Sequence, residues 1–301
     1  MIQNLKHHIV LHVIIFIWGF TAILGKFIDA DAFVLVWYRV LIAFVSLFAF
    51  LLLLKRNIKV SSSKNLLKIL GVGVIVALHW LFFYLAIKVS TASLAIICLS
   101  TTTLHVAWLE PWIMKRKPLF IEFALGMVII VGILLITTKN NSEADLLGIT
   151  YGLIAALLAA LFSTFNAKLV QSEKSSKITL YEMLSATIVM SLLLLFLEGY
   201  TWESLSISMN DFYLLLFLGI ICTSVAFLVT VEITKFLGAF TVSLSINMEP
   251  IYTLGLAIIL LNEHQSLNLT FYTGATMIVL AVFGNAYLKR RLRKKQKMTV
   301  L

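Results

Sequence analysis

A glutamate lies near the centre of a long apolar stretch of this sequence, where a charged group needs a reason to be present. Glu249 falls in the stretch 238–261, between Asn247 and Pro250. An ionisable group inside a membrane span costs about 3 kcal/mol on insertion scales. Pro250 leaves the carbonyl four residues earlier without its helical donor. This cluster of Glu249, Asn247 and a free carbonyl predicts a substrate-binding site in which Glu249 carries a proton or binds an amine. The alternative is that Glu249 is a protonated or hydrogen-bonded packing element.

Arg39 is the second ionisable residue of this kind, about two turns into the apolar stretch 33–54. It could attract a substrate carboxylate, pair with an acid in a closed state, or extend its guanidinium to the nearer membrane surface. We favour a structural or gating role for Arg39, and we assign Pro250 as the hinge of its own span.

Three consecutive threonines, Thr101, Thr102 and Thr103, lie in the middle of the stretch 91–113. Their hydroxyls could bind substrate without the cost of a charge. They could equally bond carbonyls one turn earlier and bend the helix. Both interpretations stay open, and we include the three among the substrate-binding candidates.

His79, Trp80 and Tyr84 form an amphipathic aromatic group in the stretch 66–87. Residues of this kind line cavities, and they also mark membrane interfaces. We include all three as substrate-binding candidates.

The sequence offers little for catalysis or metal binding. It has no paired carboxylates, no nucleophile motif and no Gly-rich phosphate loop. His8 and His12 are too few to hold a metal ion, and Cys98 and Cys222 stand alone among apolar residues. We therefore expect no enzyme, no metal and no cofactor. The alternative is an integral-membrane enzyme acting on a lipid or lipid-linked substrate, which would need a clustered acid/base or metal set near an interface.

Composition places these residues in a membrane. Of the 301 residues, 61% are hydrophobic and 13% are charged, and the mean hydropathy is +1.01, whereas a soluble domain is about half apolar and one-quarter charged. A helix crosses a bilayer with about 20 apolar residues, and helices bond every backbone amide internally. The sequence therefore predicts an all-α membrane protein with ten transmembrane helices, at 9–27, 33–54, 66–87, 91–113, 119–138, 147–170, 179–198, 211–232, 238–261 and 269–288.

The positions of the basic residues give the orientation. Most of the 24 Lys and Arg residues fall in loops on the side of the two termini, including the tail after residue 288. Cytoplasmic loops carry such an excess, and an anionic membrane face attracts such a tail. We therefore expect a multi-pass protein of the cell membrane with both termini in the cytoplasm. The net charge of +10 then reflects membrane lipids as partners and not nucleic acid.

The two halves of the chain correspond at a shift of 148 positions. Gly126 then falls on Gly274, and the pair Thr101-Thr102 falls on Glu249-Pro250. Each half contains five spans, an odd number, so the second half must cross the membrane in the opposite sense. We predict two inverted five-helix repeats, at 1–145 and 146–288, followed by a basic cytoplasmic tail at 289–301. Inverted repeats are typical of secondary transporters.

Several short motifs resemble the EamA-type permeases of the drug/metabolite transporter superfamily. These are Trp18-Gly19 followed by Lys26, Trp37-Tyr38-Arg39, Glu249-Pro250 with Glu263 thirteen residues later, and Gly274. The chain departs from the family at Thr102, where the first repeat commonly has Pro, and at Lys115, where an acidic residue is common. We therefore expect helix four to be straighter than helix nine.

The resemblance implies a ten-helix fold with a central cavity that moves small metabolites, often outward. We expect a secondary transporter working by alternating access, with efflux of amino acids or related compounds favoured and proton coupling through Glu249 as a candidate. Its partner is a small-molecule substrate. The resemblance defines neither one substrate nor an oligomeric state.

Overall fold

The protein is described by a computed structural model over residues 2–113, 143–197, 200–237, 248–262 and 268–298, with 245–246 and short pieces between 124 and 135. All regular elements in these ranges are helices. The α-helices are α1 Ile2–Phe27, α2 Ala32–Leu53, α3 Ser63–Val89, α4 Ala92–Ser100, α5 Thr102–Ile113, α6 Glu143–Leu169, α7 Ser175–Phe196, α8 Met209–Leu216, α9 Ala226–Leu237, α10 Glu249–Leu260 and α11 Leu269–Met298. A π-helical segment, Phe217–Val225, joins α8 to α9, and Glu203–Leu205 form a short 3-10 turn.

Helices in the described ranges are long and apolar enough to cross a membrane in seven places. They are Lys6–Phe27, Ala32–Leu53, Ser63–Val89, Ala92–Ile113, Glu143–Leu169, Ser175–Phe196 and Met209–Thr230. Two shorter apolar helices, Ile251–Leu260 and Leu269–Ala281, coincide with the ninth and tenth predicted spans. The predicted fifth span, 119–138, lies largely outside the described residues. The chain is therefore a multi-pass membrane protein that is all-helical in the part that the structure describes.

Polar residues just before four of the helices fix where they begin. The carboxylate of Asp31 accepts from the backbone amides of Phe33 and Val34 at the start of α2. The hydroxyls of Ser62, Thr91 and Ser208 bond in the same way to the first turns of α3, α4 and α8. Such caps satisfy amides that have no partner inside the helix.

The helices α2 and α7 pack against each other in antiparallel orientation. Trp37, near the start of α2, donates from Nε1 to the hydroxyl of Ser191 near the end of α7, at 2.9 Å. At the opposite end, Leu47 and Leu51 of α2 cluster with Leu180 near the start of α7. The second helix of one half of the chain thus runs opposite to the second helix of the other.

Small residues bring α6 close to its neighbours, as its sequence indicates. A Cβ atom at Gly148 would lie 2.4 Å from the hydroxyl oxygen of Ser90, and one at Gly152 would lie 2.6 Å from the Cβ of Cys98. Ala156 and Ala160 on the same stripe are fully buried. These small residues permit close helix contact, and α6 packs along α3 and α4.

The fourth predicted span is interrupted, whereas 238–244 and 247 of the ninth lie outside the described residues, so the relative straightness of the two stays a prediction. The α-helical pattern stops after Ser100 and resumes at Thr102. The hydroxyls of Ser100, Thr101 and Thr102 donate to the carbonyls of Ile97, Cys98 and Leu99, three residues earlier, at 2.6–2.7 Å. Hydroxyls that bond to their own helix in this way distort it. The break therefore needs no proline.

Carboxylates tie the two halves of the chain together at both ends of the α2–α7 pair. At one end, Asp211 accepts from the amides of Asp29 and Ala30 at 3.0 and 3.3 Å. Beside it the hydroxyl of Tyr200 donates to Asp31 at 3.0 Å. Burial, together with this hydrogen bond, raises the pKa of the Tyr200 phenol above its usual range. We call these contacts the Asp211 tie.

At the other end, Glu173 accepts from the amide of Ser61 at 2.8 Å and from the Ser61 hydroxyl. The side-chain amide of Asn65 also donates to it, at 3.2 Å. The bond from the Ser61 hydroxyl contributes most to lowering the pKa of Glu173 below its usual value. We call these contacts the Glu173 tie.

Replacement of Gly73 by alanine is expected to destabilise the protein because it forces α3 away from α7. The added Cβ would lie 2.6 Å from the Glu182 carbonyl oxygen and 2.9 Å from its Cα, and backbone atoms cannot move aside cheaply. Such overpacking costs about 1–3 kcal/mol. Thermal unfolding of the purified protein in detergent measures the effect.

Gly71 provides the control on the same helix, because nothing lies within 4 Å of a Cβ placed there. Gly71→Ala should be as stable as the wild type, or more stable by up to about 1 kcal/mol because alanine favours helix. Equal stability of Gly73→Ala and Gly71→Ala would contradict the close contact between α3 and α7.

Candidate functional site

The guanidinium of Arg39 is buried in the helix bundle, with the residue only 3% exposed. Its Nε donates to the hydroxyl of Thr223 at 3.0 Å, and its Nη1 donates to the hydroxyl of Tyr84 at 3.1 Å. The Tyr84 hydroxyl donates in turn to the carbonyl of Thr21 at 3.2 Å. Arg39 thus points inward instead of extending to the membrane surface, and its hydrogen bonds go to neutral groups.

Aromatic rings cover the rest of the guanidinium. Its carbon lies 4.0 Å from the centre of the Trp80 ring and 5.7 Å from that of Tyr84. The ring of Phe227 contacts both Trp80 and Trp18 edge-on, each at 5.8 Å between centroids. Cation–π attraction strengthens when water is excluded, to about 2 kcal/mol or more. We call Arg39, Trp18, Trp80, Tyr84, Thr223 and Phe227 the Arg39 cluster.

The π-helical segment supplies the polar partners of this cluster. The Thr223 hydroxyl donates to the carbonyl of Leu218, five residues earlier, at 2.8 Å. The carbonyl of Cys222 accepts from the Trp18 indole at 3.0 Å. A π-segment rotates side chains and exposes carbonyls relative to an α-helix, and such segments occur frequently at functional sites. Here it turns both groups toward the arginine and its aromatic neighbours.

Glu249 is the first residue of α10, followed by Pro250 within the first turn. Glu249 is half-buried. The charge of Arg39 acts on it electrostatically. A carboxylate also suits the positive end of a helix dipole. Arg39 and Glu249 are thus opposite charges coupled across the interior.

The other predicted site residues lie around this centre in different ways. His79 turns away from Arg39, and its Nδ1 donates to the carbonyl of Ala155 on α6 at 2.9 Å. Thr101 and Thr102 direct their hydroxyls to backbone carbonyls of α4, a helix that packs against α10. Asn247 and the side chains of Thr103 and Pro250 lie outside the described residues.

Arg39, Trp80 and Tyr84 are recognisable as candidates from the sequence, whereas Thr223 is not. The available signal was the Thr223-Ser224 hydroxyl pair inside an apolar span, and it does not distinguish a ligand of arginine from a helix-bonded hydroxyl. Glu182 on α7 was also missed, although it is fully buried. In the part of the chain that the structure describes, no group of three or more His, Cys, Asp or Glu side chains could hold a metal ion.

Comparison with known proteins gives two findings. The model of the EamA-like transporter family matches the chain twice, over residues 6–138 and 146–287. A solved crystal structure of a protein with 14% sequence identity superimposes with a TM-score of 0.66, covering 95% of this chain and 98% of that chain. A likeness at this identity shows the fold alone. A comparison with curated proteins gives no match.

Thr223→Val is expected to destabilise the protein because it removes the acceptor of the Arg39 Nε and leaves a buried charged donor unpaired. The expected loss is about 1–3 kcal/mol in the free energy of unfolding. Thr223→Ser keeps the hydroxyl and should remain within a few tenths of the wild type. Thermal unfolding in detergent measures all three proteins, and a stable Thr223→Val variant would show that this bond does not hold the guanidinium.

Proposed function

The chain belongs to the EamA-like transporter family, and we propose that it exports amino acids or related small metabolites by alternating access. The family moves small molecules across membranes and does not consist of enzymes. The proposal adds a direction, a substrate class and a mechanism to that membership. The observation that supports it is the buried guanidinium of Arg39, whose hydrogen bonds go to the hydroxyls of Thr223 and Tyr84.

The two side chains complement a dipolar molecule. The buried guanidinium is bonded to hydroxyls and not to a carboxylate, so a substrate carboxylate can supply the negative charge it lacks. Arginine binds carboxylates through its planar fork of donors. Glu249 can receive the amino group at the other end of the substrate. Trp80 and Tyr84 then provide aromatic walls, with Asn247 and Thr101–Thr103 as further candidates for contact.

The same charges provide a gate. With no substrate bound, Arg39 and Glu249 attract each other and favour a closed interior. A substrate that separates them, or a proton that neutralises Glu249, weakens this attraction and favours rearrangement. Such a ligand shifts the equilibrium because it interacts differently with the two states. Pro250, in the first turn of α10, is the proposed hinge.

We propose two inverted five-helix repeats, 1–145 and 146–288, with ten spans in all. The antiparallel packing of α2 and α7 supports inversion, because these are the second helices of the two repeats. Matching pairs of helices make matching contacts as well: α6 packs on α3 and α4, and α1 packs on α9 and α10. Inverted repeats place substrate sites near the midplane, where the two repeats meet.

The Asp211 and Glu173 ties support a fixed frame around which the rest of the bundle moves. They join corresponding pairs of loops at opposite ends of α2 and α7, and both are formed at the same time. Contacts that open and close in alternation would not both be closed in one state. We therefore assign the moving parts to the helices outside the α2–α7 pair.

Both termini are proposed to face the cytoplasm, on the side of the Glu173 tie. The loops on that side hold most of the chain's Lys and Arg residues, and such an excess marks the cytoplasmic face. A C-terminal fusion to a phosphatase that is active only outside the cytoplasm should be inactive, whereas insertion of the same enzyme near Glu203 should be active. The reverse pattern would overturn the orientation.

Glu249→Gln is expected to abolish net export while leaving the protein folded, because the amide keeps the shape but has no negative charge to attract an amine. Cells that express the wild type and the variant at equal membrane levels are compared by untargeted analysis of the medium. The wild type should enrich a few amino acids or related metabolites, and the variant should not.

Glu203→Gln is the control, because it makes the same chemical change at an exposed site outside the spans. It should export as the wild type does. Unchanged export by Glu249→Gln would remove Glu249 from the mechanism. A wild type that leaves the medium unchanged would contradict export of abundant metabolites.

A further inference from the structure

A second carboxyl, on α7, is fully buried in the bundle. Glu182 is 0% exposed, and neither of its carboxyl oxygens has a hydrogen-bond partner among the described residues. The buried Asp211 and Glu173, in contrast, each accept several hydrogen bonds. An ionised carboxylate without donors in such a place costs several kcal/mol. The geometry therefore favours a neutral, protonated Glu182.

The polar group that faces Glu182 is the side chain of Asn166 on α6. The two interact without forming a hydrogen bond of normal geometry, and the Oδ1 of Asn166 is likewise buried and without a partner. A protonated carboxyl and an amide are complementary, because each offers one donor and one acceptor to the other. An ionised carboxylate can use only the amide donor, which leaves the amide oxygen unsatisfied.

The ionisable side chains on the neighbouring helices either bond to groups other than Glu182 or are exposed. On α3, His79 bonds to the carbonyl of Ala155, and on α2, Arg39 bonds to Thr223 and Tyr84. On α9, Glu232 is exposed, as is Lys168 on α6. Among the described side chains, Glu182 thus has an amide as its facing group and no countercharge.

The position of Glu182 gives it a route to water on the side of the Glu173 tie. It lies two turns from the start of α7, whereas Arg39 lies two turns from the opposite end of the bundle. The backbone of Glu182 is held against Gly73 of α3, so α3, α6 and α7 meet at this point. A small separation of α6 from α7 would hydrate the carboxyl and stabilise its ionised form.

We propose that Glu182, with Asn166, is the binding site of the proton that drives transport, separate from the substrate site at Arg39 and Glu249. The carboxylate takes a proton from hydronium arriving from the outer side, forming a carboxylic acid and water. The acid pairs with the Asn166 amide and holds α6 against α7. When α6 and α7 separate, the proton passes to cytoplasmic water. This inference rests on the proposed transport function and assigns its coupling group.

The test uses the full-length protein in liposomes that contain a trapped pH-sensitive dye, with a radiolabelled mixture of the common amino acids as the probe. The wild type should move protons when the mixture is added and should exchange labelled for unlabelled amino acids. Glu182→Gln should lose the proton movement and keep the exchange. Glu203→Gln, the same chemical change at an exposed site outside the spans, should keep both.

Two results would overturn the proposal. Proton movement that persists in Glu182→Gln would show that another group carries the proton. Loss of exchange together with proton movement in Glu182→Gln, at normal thermal stability, would show a role in the substrate cycle instead of coupling. Recovery of proton movement in Glu182→Asp would support the requirement for a carboxyl.

Infrared titration of the purified proteins gives a readout that does not depend on a substrate. The wild type should show a protonated-carboxyl band that disappears at high pH, and this band should be missing in Glu182→Gln but present in Glu249→Gln. An identical band in wild type and Glu182→Gln, or a wild type with no titrating band, would overturn the proton site. If this band behaves as expected while no amino acid is exchanged, the proposed substrate class fails and the proton site stands.

Discussion

The positive charge of Arg39 lies in an apolar interior, and three other helical segments are arranged to accommodate it. A buried charge is tolerated only where hydrogen bonds and neighbouring charges replace water. Here α3 supplies Tyr84 and the Trp80 face, the π-helical segment supplies Thr223, and α1 anchors Tyr84 through the Thr21 carbonyl. None of these partners is an anion, so the guanidinium is held in place while its charge remains available. A site that must bind and release an anionic group needs this combination.

The antiparallel α2–α7 pair fixes the position of this charge in the bundle. Arg39 extends from α2, and α2 is joined to the other half of the chain through Ser191 and through the ties at either end of the pair. Because carboxylates accepting backbone amides form strong hydrogen bonds, the ties fix the loops as well as the helices. A rigid axis of this kind lets the surrounding helices change their packing while the arginine keeps its depth.

The sequence alone defines most of the fold but only part of the site. Long apolar stretches predict the helices closely, since a bilayer imposes length and hydropathy on every span. Arg39, Trp80 and Tyr84 could be selected because a charge or an amphipathic ring in such a stretch is conspicuous. The π-helical segment could not be predicted, because its residues Phe217–Val225 show no pattern distinct from an α-helix. The break at Thr101 was one of two open interpretations of the threonines, because hydroxyl bonding to the backbone depends on rotamers and not on residue type.

Glu249 and Glu182 show why the environment of a residue, and not its position in a span, decides its role. Both are carboxyls inside predicted helices, yet Glu249 keeps accessible surface and is coupled to Arg39, whereas Glu182 is enclosed and faces only an amide. The positive charge of Arg39 offsets part of the cost of an anion at Glu249, which suits Glu249 to a cationic group of a substrate. A carboxyl without any countercharge is favoured as a neutral acid, which suits it to hold a proton until water reaches it. Two acids in one apolar bundle can therefore divide substrate binding and proton binding between them.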